Sequence, residues 1–110
     1  MKPSSLRECH LVITIPAFNE EATIETVIKS IPSKIPGVSS IDIVVIDDGS
    51  SDLTASVARR AGATVISNPF NQGLAYSFSR GLEKALEIGA DIVVNTDADN
   101  QYDQYEIPKL

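Results

Sequence analysis

Cations are the first thing this sequence is short of. Nine lysines and arginines stand against fifteen aspartates and glutamates, and the cations form no stripe. The formal net charge of -6 argues against a non-specific nucleic-acid surface or an anionic membrane as partner, because both need a basic stripe. Cysteine is scarcer still. Cys9 is alone, so no internal disulfide can form, and with His10 it lacks the companions of a zinc site; it reads as a small residue entering the first strand. No apolar run approaches the roughly 18 residues of a spanning helix, and residues 1–8 carry Lys2 and Arg7 without an apolar core of signal-peptide length. The expected location is cytoplasmic. Two glycine patterns are also absent. Without G-x-G-x-x-G or G-x-x-x-x-G-K-[ST], neither a Rossmann dehydrogenase nor a P-loop NTPase fits.

What is present fits one globular unit. The 110 residues suffice for one compact domain, since domains run to about 100 to 150 residues. With 43% hydrophobic and 22% charged residues, a core can form and no segment is low in complexity. Four short β-branched runs recur at residues 11–15, 41–46, 64–66 and 92–94. They are continuous rather than alternating, as expected for strands covered on both faces of a parallel sheet.

Helical patterns separate these runs. The first is expected over residues 20–31, with Asn19 as N-cap, Glu20 and Glu21 at the positive end of the dipole, and Pro32 as the stop. The second spans residues 52–61, capped by Ser51 or Asp52, with Leu53, Val57 and Ala61 inward and Gly62 as terminator. The third aligns Leu74, Phe78, Leu82, Ala85 and Leu86 and ends near Gly89. This alternation predicts an α/β fold, a parallel sheet of about four strands in spatial order 3-2-1-4 with helices on both faces. Sites in such sheets lie beyond the carboxyl ends of the strands, where strand order reverses, here between strands one and four.

Three loops end there, and each is polar. In "NTDADNQY", residues 95–102, Asp97, Asp99 and Gln101 share parity, so an extended segment directs them to one side, where they could converge on one ion. Hard oxygen donors of this kind suit Mg²⁺ or Mn²⁺; the competing reading is a solvated acidic turn or a cap on a following helix. In "DDGSSD", Gly49 permits a tight turn, and Asp48, or Asp47, is placed to accept hydrogen bonds from a ribose or base; the alternative is a capping turn, a role suited to Ser50, Ser51 and Asp52. In "PAFNEE", Pro16 fixes the exit from the strand and Phe18 could lie against a flat base, while Glu20 either touches a ligand or serves the helix dipole. Asn71 and Gly73 in "NPFNQG" either bring the third helix to a phosphate or form a plain capped loop. Arg59, Arg60 and Arg80 read as solvated helix faces.

Taken together, "VITIPAFNEEATI", "IVVIDDGSSDLT" and "DIVVNTDADNQY", in this order and spacing, resemble the nucleotide-binding half of family-two glycosyltransferases of the GT-A fold. The nearest flavour is that of dolichol-phosphate mannose synthases and related polyprenyl-phosphate sugar transferases. The resemblance covers residues 11–110. It implies nucleotide-sugar contacts at Pro16, Ala17, Phe18, Glu20, Asp48, Asp97, Ala98 and Asp99, with Asp97, Asp99 and Gln101 holding Mg²⁺ or Mn²⁺. It further implies transfer of a sugar from a UDP- or GDP-linked donor to a polyprenyl phosphate or glycan in cell-envelope synthesis, at the inner face of the membrane where the acceptor is lipid-linked.

This chain departs from the family pattern twice. Relatives often carry a lysine soon after the "NxG" turn, where this sequence reads "NQGLAYSF". The acceptor-binding half of the family follows the D-x-D, whereas this sequence closes on "YEIPKL". The expectation is a donor-binding part, residues 1–110, without an acceptor site or a catalytic base of its own, and self-association through the exposed edge of strand four, testable by oligomeric state against concentration. Competing readings are a HAD-type phosphatase, whose D-x-D sits on the first strand rather than the last, a Mg²⁺-binding receiver-like domain, whose acidic pair follows the first strand, and an inactive donor-binding fragment.

Overall fold

The computed structural model describes residues 8–98. Its elements run β1 (His10–Ala17), α1 (Ile24–Ser30), β2 (Ser40–Asp47), α2 (Thr54–Arg60), β3 (Thr64–Ser67), α3 (Leu74–Glu87) and β4 (Ile92–Asn95). All pairings are parallel and the sheet order is β3-β2-β1-β4, as the alternation of patterns predicts. β1 pairs with β2 from His10 opposite Ser40 to Ala17 opposite Asp47, and with β4 from Leu11 opposite Ile92 to Thr14 opposite Asn95.

Being central, β1 is buried on both faces, which is why its apolar residues run on without alternation. Leu11, Ile13, Ile15 and Ala17 join Val45 of β2, Ile24, Val27 and Ile28 of α1, and Ala58 of α2 in one core. Val12, Val44 and Ile46 meet Ala85 of α3 in a second core on the opposite face. Each of these isoleucines and valines contributes about 1.5–3 kcal/mol by leaving water. At the amino-terminal rim His10 ties three segments together: its Nε2 lies 2.6 Å from Asp42 Oδ2, its Nδ1 3.2 Å from the Gly89 carbonyl, and its backbone N–H donates to Asp91 Oδ2.

The helices depart from the sequence reading in informative ways. α1 begins at Ile24, not at residue 20, because Asn19 is diverted. Its backbone adopts φ 54° and its carboxamide oxygen accepts the Ser51 N–H at 2.8 Å across the gap to the next loop, so it cannot cap its own helix. Residues 20–23 form a turn in which the Glu20 carbonyl receives the N–H groups of Thr23 and Ile24. The end agrees: Ile31 is extended, as a residue before proline must be.

The N-cap of α2 is Leu53, not Ser51 or Asp52; Asp52, one residue before it, accepts the first-turn Thr54 N–H with its Oδ1 at 3.0 Å. Leu53 is exposed, and Thr54 and Ala58 turn inward in its place. α3 shows the largest difference. Of the predicted line Ala85 is buried, but Leu74 is 68%, Phe78 41% and Leu86 63% exposed, and the helix lies on Ala85 together with Ser77 and Gly81. The reason is proximity. A Cβ on Gly81 would sit 2.7 Å from Ile46 Cδ1 and 3.2 Å from Thr14 Cβ, so only the smallest side chains fit between this helix and the sheet. Among the described residues, no helix is long and apolar enough to cross a membrane. Among the described strands β4 forms one edge of the sheet, with Ile92 exposed on it.

Candidate functional site

Beyond the carboxyl ends of β1 and β2 the two following loops are stitched together. Asn19 N–H donates to Ser50 Oγ at 2.8 Å, and Ser51 N–H donates back to Asn19 Oδ1. Next along, Glu20 N–H donates to Thr54 Oγ1 at 2.9 Å, while Glu21 Oε1 accepts the Leu53 N–H at 2.7 Å and Asp52 Oδ2 accepts the Glu21 N–H at 3.3 Å. The polar residues of "FNEE" and "GSSD" are thus largely occupied with one another. Burial acts to raise the Asp52 carboxyl, but the Thr54 hydroxyl and N–H and the Glu21 N–H outweigh it and hold the group below its ordinary range.

The second acidic loop divides its labour. Asp47 makes a turn of its own, accepting the Ser50 N–H at 3.1 Å and facing Ser67 Oγ at 3.4 Å. Asp48, only 5% exposed, gathers the loop after β3. Its Oδ1 accepts Asn68 Nδ2–H and the Gln72 N–H, each at 2.8 Å, and its Oδ2 accepts the Gly73 N–H at 3.0 Å. Burial alone would raise this carboxyl; the bonds from Gln72, Asn68, Gly73 and Ser77 overcome that and lower it. Gly49 makes the approach possible. At φ 76°, a Cβ there would lie 2.4 Å from the Phe70 carbonyl carbon, so this loop crosses directly over the glycine.

A cleft of about 290 Å³ opens between these elements, lined by Pro16, Ala17, Phe18, Asp48, Asn71, Gly73, Leu74 and Ser77. Four of the sequence-predicted residues, Pro16, Ala17, Phe18 and Asp48, come together here. Phe18, 46% exposed, presents part of a ring to the opening. None of the lining residues is a cation. The N–H groups of Gln72 and Gly73 are already taken by Asp48, so this loop does not hold them open for a phosphate.

Two other predicted residues lie elsewhere. Glu20 is half-buried beside the turn, where its Oε1 accepts the Thr23 hydroxyl at 3.0 Å. Ala98 is buried in the α1/α2 core, and its carbonyl is within 2.9 Å of the same hydroxyl. Neither lines the cleft. Both meet at Thr23, which ties the turn before α1 to the segment after β4. Asp97 is half-buried just past the end of β4, while Asp99 and Gln101 lie outside the described residues. Among the described residues, no group of three His, Cys, Asp or Glu side chains could hold a metal ion. The one described member of the predicted set, Asp97, supplies the hard oxygen that Mg²⁺ or Mn²⁺ prefers, and the oxygen donors of Asp99 and Gln101 in the sequence fit the same ions.

Sequence reasoning missed Asn68, Ser77 and Arg80. Arg80 is not a solvated face residue: its Nη1 donates to Asn68 Oδ1 at 2.8 Å, and the Asn68 amide continues to Asp48 and to Ser77 Oγ at 3.1 Å. The small residues Ser77, Gly81 and Ala85, four apart, were the available signal for the inward face.

A parallel α/β sheet with a polar cleft beyond the carboxyl ends of its strands is an architecture that commonly holds small-molecule ligands. Residues 12–110 match the model of the glycosyl transferase family 2, and the chain belongs to that family. It is 32% identical over 107 residues to the uncharacterized protein MJ1222 of Methanocaldococcus jannaschii, covering 97% of this chain and 42% of that protein. It is 29% identical over 117 residues to the UDP-N-acetylglucosamine–dolichyl-phosphate N-acetylglucosaminyltransferase of Methanococcus voltae, covering 91% and 45%. Among solved structures, glucosyl-3-phosphoglycerate synthase of Mycobacterium tuberculosis with Mn²⁺, UDP and glucosyl-3-phosphoglycerate superposes with TM-score 0.68 and 33% identity, over 86% of this chain and 35% of the synthase. The same synthase is also known with Mg²⁺ and UDP. The chain spans less than half the length of each of these relatives.

Proposed function

We propose that this chain is the donor-binding part of a glycosyltransferase that moves a sugar from a nucleoside diphosphate sugar, UDP- or GDP-linked, to an acceptor of the polyprenyl-phosphate or glycan class. The observation that carries the reading is the cleft itself, where a part-exposed aromatic ring and a buried carboxylate line one opening beyond the carboxyl ends of β1 and β2. The family membership and the UDP complexes of the synthase support it.

In this reading Phe18 lies against the base, and Asp48 offers the remaining acceptor capacity of its carboxylate to a nucleoside N–H or O–H. Pro16 and Ala17 wall the pocket with apolar surface that keeps water from competing for those contacts. With no cation in the lining, the charge of the diphosphate must be met from the β4 side. Asp97, Asp99 and Gln101 would hold Mg²⁺ or Mn²⁺ there. When bound, such an ion neutralises the negative charge that grows on the departing nucleoside diphosphate. The Thr23 hydroxyl, reaching the Ala98 carbonyl, steadies the backbone between the two aspartates. The reading carries a cytoplasmic site of action, at the inner face of the membrane for a lipid-linked acceptor.

Thermal unfolding with UDP, GDP and their sugars, with and without Mn²⁺, tests it. A ligand at 100 times its Kd stabilises by about 2.7 kcal/mol, a rise of several degrees in Tm for a domain of this size. The expected outcome is a metal-dependent rise that Asp99→Asn removes. An equal rise without metal would sink the metal assignment, and no rise with any nucleotide would sink the whole reading. Phosphorylation of an aspartate by acetyl phosphate would favour the receiver-like alternative.

A further inference from the structure

We infer that Arg80, which does not line the cleft, is a positioning residue for its nucleoside end, acting through Asn68 on Asp48. The inference rests on the reading that a nucleoside occupies that cleft. Asn68, 3% exposed at the end of β3, has its backbone N–H bound to the Asp47 carbonyl, so its side chain has a fixed root. A carboxamide has one accepting end and one donating end. Arg80 can only donate and takes the oxygen end at 2.8 Å; ionised Asp48 can only accept and takes the amide end at 2.8 Å. Each partner therefore selects the same orientation of Asn68, and each reinforces the other's choice.

The consequence reaches the cleft through Asp48. Its Oδ1 serves both Asn68 and the Gln72 N–H, and its Oδ2 serves the Gly73 N–H beside the cleft. Without Arg80, the Asn68 oxygen is a buried acceptor with no donor, and rotating the amide to find one would turn that oxygen towards the Asp48 carboxylate. Either outcome loosens the carboxylate and the turn that depends on it. The lost hydrogen bond to a charged group corresponds to roughly a tenfold change in affinity, or about 1.4 kcal/mol.

The experiment compares Arg80→Met with Arg80→Lys in the 110-residue chain. UMP is titrated without metal, and amide hydrogen exchange is followed without ligand. Arg80→Met should weaken UMP about tenfold and speed exchange at Gln72 and Gly73 while leaving exchange at Val12 and Ile13 unchanged. Arg80→Lys, which keeps a donor of similar reach, should recover most of both effects. UMP affinity within twofold of the unsubstituted chain, or unchanged exchange at Gln72 and Gly73 in Arg80→Met, overturns the inference. If the unsubstituted chain fails to bind UMP, the nucleoside reading falls, and exchange at Gln72 and Gly73 still decides whether Arg80 governs the turn.

Discussion

The two faces of the sheet are built on different principles. On the α1/α2 face, long aliphatic side chains of helix and strand interdigitate, and whole isoleucine and valine side chains fill the space between helix and sheet. On the α3 face the helix backbone lies almost on the strands, with Gly81 against Ile46 and Thr14 and with Ser77 and Ala85 fully buried. The tight face carries the site: Asp48, Gly73 and Ser77 line the cleft, and Gly49 lets the preceding loop cross. The close backbone approach thus lies on the side of the cleft, and the packing through long side chains on the other.

The comparison would break most visibly at Gly49. Gly49→Ala combines a left-handed backbone with a Cβ inside the Phe70–Asn71 backbone, where nothing flexible can yield, so a loss of about 3 kcal/mol or more is expected in urea unfolding. A loss below about 1 kcal/mol would mean the loop shifts freely and the face is not tight.

Gly81→Ala measured beside Ile28→Val sharpens it. An exposed helical glycine gains about 1 kcal/mol on becoming alanine, but here overpacking should reverse the sign and leave a net loss of about 1 kcal/mol. Ile28→Val, on the α1/α2 face, should lose about 1 kcal/mol by simple deletion of a methylene, with the cleft untouched. A stabilised Gly81→Ala chain would remove the distinction between the faces.

The smallest effect is one of pH. Because the folded-state pKa of Asp48 is depressed, its contribution is fully present above the unfolded-state value, about 3.9, and is lost as pH falls through the folded value. The stability gap between the unsubstituted chain and Asp48→Asn should therefore be constant from pH 7 down to about pH 5 and shrink below about pH 4. A gap that widens on acidification would contradict the hydrogen-bond account of that carboxylate.

Much of this molecule was legible in the residues. The continuous runs around Ile13 and Val45 declared a sheet covered on both sides, and the loop sequences at the strand ends marked the cleft. What escaped was set by contacts between segments distant in sequence. Asn19 looked like a cap and became a cross-link to Ser51, because the neighbouring loop outcompeted its own helix. The leucines of α3 looked like the inward face because hydrophobic periodicity assumes that large residues pack inward, and the sheet lies too close for them. Arg80 looked solvated because nothing local announces a carboxamide twelve residues earlier. The ligand geometry at Asp99 and Gln101 was never open to the same comparison, since both lie outside the described residues.

The reciprocal bonds between Asn19 and Ser50/Ser51, and between Glu21 and Leu53, carry a thermodynamic consequence. These bonds lie just behind Phe18 rather than in the cleft, and a loop so fastened would forfeit little freedom on docking of a guest against that ring. Such a loop would also be slow to remould, so the fit of a guest there would rest on shape.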